Sequence, residues 1–80
     1  MAPRSPQLAA LGAALRDARD ARGLSQVDVA RTLAVKQSYV SELETGARNP
    51  SFSTLLRLCD ALDVELTELA ALYEAHLRPT

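Results

Sequence analysis

Eighty residues make one domain, and at that size folding removes only about 60% of the chain's surface from water, so one small core has to suffice. Apolar residues are 48% of the chain, yet only Tyr39, Phe52 and Tyr73 are aromatic, which favours helices packed through Leu, Val and Ala over strands. A single cysteine and the lack of an apolar run or charged leader argue against an internal disulfide, a membrane span and export, and make the cytoplasm the expected location, while the net charge of −1 argues weakly against a nucleic-acid partner.

Met1 to Arg4 reads as a disordered start, with the boundary of the folded domain, residues 6–80, just after Ser5. Ser5-Pro6 supplies an N-cap and a proline at the first helical position, Leu8, Leu11, Leu15 and Ala18 recur at helical spacing, and Gly23 stops the run, so the first helix is predicted over about 6–22. Ser25 and Asp28 form a capping-box-like pair ahead of Val29, Ala30 and Leu33. A third helix starts near Gln37, carries Val40 and Leu43 on one face, and closes at Gly46 before Asn49-Pro50. Ser51, with Ser53 as the alternative, caps a fourth helix holding Leu55, Leu58, Cys59 and Leu62, and Leu66, Leu69, Leu72, Tyr73 and Leu77 pattern a fifth after Asp63.

Charge is unevenly spread along these elements. Residues 1–48 hold seven of the nine basic side chains against five acids, whereas 49–80 hold two against five. A cationic N-terminal half can steer a phosphate-bearing partner to one face despite the negative total.

Between Gln26 and Leu43 two short helices are joined by about four residues, a geometry that needs a small residue at the crossing, here Ala30, and apolar neighbours, here Val29, Leu33, Val35, Val40 and Leu43. The second of these helices keeps a polar outer face of Lys36, Gln37, Ser38, Ser41 and Glu42, rich in the hydrogen-bonding groups that reading a DNA major groove requires. The same face on an unrelated protein is an ordinary solvated helix surface, so the flanking residues carry the distinction.

Those flanking residues are Gly23-Leu24-Ser25-Gln26, Val29-Ala30, Leu33-Ala34-Val35, Ser38 through Gly46, Arg48-Asn49-Pro50-Ser51 and Thr54-Leu55 through Leu62. Taken in register from about Leu15 to Leu69, the chain resembles the Cro/C1-type (XRE) helix-turn-helix family of transcriptional regulators. The resemblance implies an all-α, five-helix, lambda repressor-like domain that binds double-stranded DNA as a homodimer on an inverted-repeat operator. It further implies base contacts from Lys36, Gln37, Ser38 and Glu42, and phosphate contacts from Ser25, Gln26, Tyr39, Thr45, Arg48 and Asn49. These assignments suit the side chains: an amide pairs with adenine, an ammonium donates to guanine, a carboxylate accepts from cytosine, and a helix N-terminus with a cation holds phosphate. Arg19 and Glu44 match positions that form a partly buried salt bridge, which makes Glu44 structural.

The chain departs from the family pattern at Ala34, where glycine is usual in the turn, at Lys36 and Glu65, where Ser or Thr usually caps, and at Asp63, another common glycine. A left-handed alanine at 34 carries roughly 1 kcal/mol of strain that glycine avoids.

An isolated reader of this size makes few base contacts, so two half-sites and a self-associating surface are expected. The stripe Leu66, Leu69, Tyr73, His76 and Leu77, on a dimerisation helix over about 66–77, is the candidate two-fold interface; Leu66 and Leu69 fit the core equally well. Tyr39 fits either a core cover or a phosphate contact. Cys59 lies on an apolar stripe and reads as a small core residue. One His and one Cys do not make a metal site, and no nucleophile, base and acid set or phosphate-cradling loop is present, so no metal, cofactor, small-molecule ligand or enzymatic activity is expected. The chain's size resembles restriction-modification controllers and small phage repressors. The competing function is a helix-turn-helix fold reused as an antitoxin-like protein-interaction module without specific DNA binding.

Overall fold

The computed structural model describes residues 2–78, which form five helices: α1 (Pro6–Ala21), α2 (Gln26–Leu33), α3 (Gln37–Thr45), α4 (Phe52–Leu62) and α5 (Leu66–Leu77). Local chemistry sets most of the boundaries. The Ser5 hydroxyl accepts from the Leu8 N–H at 3.0 Å ahead of Pro6, and Gly23 leaves α1 at φ +67°. Ser25 and Asp28 close a complete capping box: the Ser25 hydroxyl accepts from the Asp28 N–H at 3.0 Å and the Asp28 carboxylate from the Ser25 N–H at 2.8 Å. Those bonds hold the Asp28 carboxyl below the usual carboxylate range, so their support of α2 is present above that range and fades as pH falls through the lowered value. Ser51 rather than Ser53 is the cap of α4, accepting from the Thr54 N–H at 3.1 Å.

Two helices end on left-handed residues that are not glycine, Ala34 at φ 57° and Asp63 at φ 52°. Ala34→Gly removes a Cβ from this conformation and is expected to raise stability by about 0.5–1 kcal/mol, seen as a thermal midpoint a few degrees higher. An unchanged or lower midpoint would mean that the added freedom of the unfolded chain cancels the relief.

The core gathers around α1, which packs against α3 and α5, while α2 packs against α3 and α4. Leu58, Leu62 and Leu69 are its most deeply buried large side chains, with Leu15, Val29, Leu33, Val40, Leu43 and Cys59 around them. Burial raises the Cys59 thiol pKa above its ordinary value, the behaviour of a core residue. Leu8, Leu11 and Leu55, expected on the apolar stripes, are only half-buried.

The structure revises the C-terminal stripe. Leu69 is 1% exposed and belongs to the core, and His76 meets the Asp17 carboxylate on α1 through Nε2. Leu66 and Leu77 stay exposed and Tyr73 is half-buried against the core. At 3.6 residues per turn the five residues fall within one arc of about 100°, with Leu69 and His76 on the side turned toward α1 and Leu66 and Leu77 at the opposite edge. Arg4 N–H donates to the Gly46 carbonyl at 2.8 Å, beside Ser5 acting as a cap, while Met1 lies outside the described residues.

Candidate nucleic-acid interface

Ala30 is buried on α2, which packs against α3, and the chain passes from one to the other through Ala34, Val35 and Lys36. Lys36 precedes α3 without a capping side-chain bond, and Lys36, Gln37 and Ser38 are all exposed at the first turn. The N-terminus of α2 lies beside that turn: the Gln37 amide donates to Gln26 Oε1 at 3.4 Å, a long contact.

Behind Gln26 the polar chain continues inward. Its amide donates to Glu44 Oε1 at 3.0 Å, and Glu44 accepts a two-pronged pair from Arg19, Nε to Oε2 at 2.6 Å and Nη2 to Oε1 at 3.0 Å. The third nitrogen of Arg19 donates to the Leu24 carbonyl at 2.7 Å. Only 13% of the Arg19 side chain and 7% of that of Glu44 remain exposed, and the fork-on-fork geometry raises the Arg19 pKa further above its ordinary value. A buried ion pair is thus linked through Gln26 to the first residue of α3.

A second cluster lies farther along α3. Glu42 Oε2 accepts from Arg48 Nε at 2.7 Å, and the Arg48 guanidinium lies 5.4 Å from the centroid of the Tyr39 ring, within cation–π range. The carboxylate raises the Arg48 pKa above its ordinary value. Tyr39 is half-buried, so its ring both covers the core and supports the cation. The Thr45 hydroxyl donates to the Glu42 carbonyl at 3.2 Å, Ser25 is engaged as a cap, and Asn49 is exposed in the loop that follows. The expected contacts therefore fall into two groups, Gln26 with Gln37 and Tyr39 with Glu42 and Arg48, while Lys36, Ser38 and Asn49 stand exposed.

Sequence reasoning missed Gly12 and two arginines. A Cβ at Gly12 would meet the main-chain oxygens of Leu43 and Glu44 at 2.5 Å, so this glycine is what lets α1 lie against the C-terminal end of α3. Its signal was available, since it falls four residues after Leu8 and three before Leu15, on the buried face. Arg57 Nη2 donates to the Leu33 carbonyl at 2.6 Å and Arg22 reaches the carbonyls of Leu62 and Asp63, so both close helix C-termini. Those partners are distant in sequence and left no local signal.

A family model described as a helix-turn-helix domain matches residues 10–72, most of the chain and all of both clusters. The chain belongs to the helix-turn-helix family. An uncharacterised HTH-type transcriptional regulator of Sinorhizobium fredii is 43% identical over 51 residues, 64% of this chain and 66% of that protein. The chain thus spans just under two thirds of this curated relative. Among solved structures, the clp gene regulator ClgR from C. glutamicum is 30% identical with a TM-score of 0.88, covering 92% of this chain and 96% of that one. The restriction-modification controller protein C.AhdI from Aeromonas hydrophila is 44% identical with a TM-score of 0.73, covering 78% and 94%. This helix-turn-helix protein is of the Cro/C1 type, with α2 and α3 as the paired helices. Among the described residues no helix is long and apolar enough to cross a membrane.

Proposed function

We propose that this helix-turn-helix protein regulates transcription by binding an inverted-repeat DNA site as a homodimer, in the cytoplasm and without catalysing a reaction. The observation that carries the reading is the exposed first turn of α3, Lys36 to Ser38, with Gln37 held beside Gln26 at the N-terminus of α2. In that placement Gln37 and Lys36 reach base edges while Gln26, Ser25 and the α2 N–H groups meet a phosphate. Tyr39, Thr45, Arg48 and Asn49 extend the backbone contact and Glu42 adds an acceptor for cytosine.

The dimer reading draws support from apolar surface on α4 and α5. Phe52 is 63% exposed and Leu56 and Leu66 are exposed with it. A groove of about 330 Å³ between the α1 start, Leu55 and α5 is lined by Leu8, Leu11, Leu66 and Tyr73. Exposed apolar side chains around such a groove mark an association surface, and a two-fold axis there brings the same patch to itself. Leu66, Tyr73 and Leu77 keep their place in this interface, joined by Phe52 and Leu56.

Selection of bound sites from a random DNA pool near physiological salt tests the reading. Enrichment of an inverted repeat is the expected result, since specific and non-specific affinities typically separate by about 10³ or more. Gln37→Ala should then relax base preference, and Leu66→Glu should give a monomer in sedimentation that binds the repeat far more weakly. A pool that stays random, with no retention above the charge background, overturns the regulator and leaves an interaction module.

A further inference from the structure

Glu42 and Arg48 are each expected to touch DNA, yet in the free protein each satisfies the other at 2.7 Å. The Glu42 side chain is 23% exposed and that of Arg48 55%, and the guanidinium is backed by the Tyr39 ring at 5.4 Å, so one face of the cation and its Nε edge are occupied before DNA arrives. The Nη groups of Arg48 remain open to a phosphate, but one that gripped the Nε edge would displace the carboxylate and leave it unpaired beside a polyanion. That penalty disappears where a base offers Glu42 a donor, such as the cytosine amino group.

We propose that Glu42 is a charge lock on Arg48, holding the Nε edge of the guanidinium back from phosphate until a base donor engages the carboxylate, so that this pair couples base readout to backbone contact. The inference rests on the DNA-binding reading. It makes Glu42 a specificity determinant whose main effect is to weaken binding to wrong sequences.

The experiment is a double-mutant cycle. Affinity for a non-cognate duplex and for the selected operator is measured against salt concentration for the wild type, Glu42→Gln, Arg48→Ala and the double variant. Glu42→Gln is expected to tighten non-cognate binding about two- to fivefold, the range of an exposed ion pair. It should steepen the log–log salt dependence by about 0.9, one released counterion, and lower the ratio of operator to non-cognate affinity. In the Arg48→Ala background the same substitution should change neither the non-cognate affinity nor the salt slope.

A Glu42→Gln effect of equal size in both backgrounds reflects only the removal of a negative charge near DNA and overturns the proposal, as does an unchanged salt slope. In either case operator selection by the wild type still stands, so the regulator reading survives. If the wild type retains no DNA even at low salt, the reading and the lock fall together. Melting of each variant keeps folding separate from binding, and Glu42→Gln, partly exposed on α3, is expected to melt close to the wild type.

Discussion

Arg19→Ala is expected to lower the thermal midpoint by roughly 12–24 °C. Removing the guanidinium leaves the Glu44 carboxylate, only 7% exposed, with the Gln26 amide as its remaining side-chain donor and takes the donor from the Leu24 carbonyl. An uncompensated buried charge costs about 3–5 kcal/mol, and the lower end applies because the Arg19 side chain keeps 13% of its exposure. For a domain of this size each kcal/mol moves the midpoint by about 4–8 °C. A fall of only a few degrees would show that water reaches Glu44 once Arg19 is gone.

The same pair has a second role that stability alone does not report. Replacing both partners with apolar residues, Arg19→Met with Glu44→Leu, removes the stranded charge and should recover much of the lost stability. It also deletes the carboxylate that holds Gln26, so operator affinity should remain reduced in a protein that melts near the wild type. Recovery of both stability and operator affinity would confine the pair to a packing role.

Gly12→Ala is the second large effect, and it requires no change in charge. The added methyl would lie 2.5 Å from the Glu44 and Leu43 carbonyl oxygens, and these are main-chain atoms that cannot swing aside as a side-chain tip can. The helices must separate, exposing part of the interface around Ala14 and Leu43. Overpacking of this kind costs about 3 kcal/mol, comparable to the loss of Arg19. Because α3 carries the exposed reading face, the displaced helix should bind its operator poorly even in the fraction that remains folded. Gly23→Ala is the control: space is open around it, and only the φ of +67° opposes a side chain, for about 1 kcal/mol. Equal and small shifts in the two variants would show that α1 and α3 can part at little cost.

These two sites differ in how visible they are from the chain alone. Arg19 and Glu44 became legible because their positions fit a family pattern. The capping box at Ser25 and Asp28, the cap at Ser51 and the stop at Gly46 are legible for a simpler reason, since each depends on residues within a few positions of one another. Short-range hydrogen bonds and a 3.6-residue apolar period are properties of sequence, and they suffice to order five helices and mark α3 as the one with a polar outer face.

Other features exist only once the helices meet. Gly12 is needed because α3 passes close to it, Arg57 is engaged because the end of α2 comes within reach, and Leu69 is core because α5 turns that side toward α1. The pairing of Glu42 with Arg48 belongs with these: each residue alone looks like a DNA contact, and their mutual satisfaction appears only when the loop after α3 brings the guanidinium back over Tyr39. The sequence by itself determined the number and order of the helices, most of their starts, and which family of surface they carry. Tertiary structure decided which charges are free, which apolar residues are exposed and how closely backbones approach, because these depend on distances between segments that no local pattern encodes.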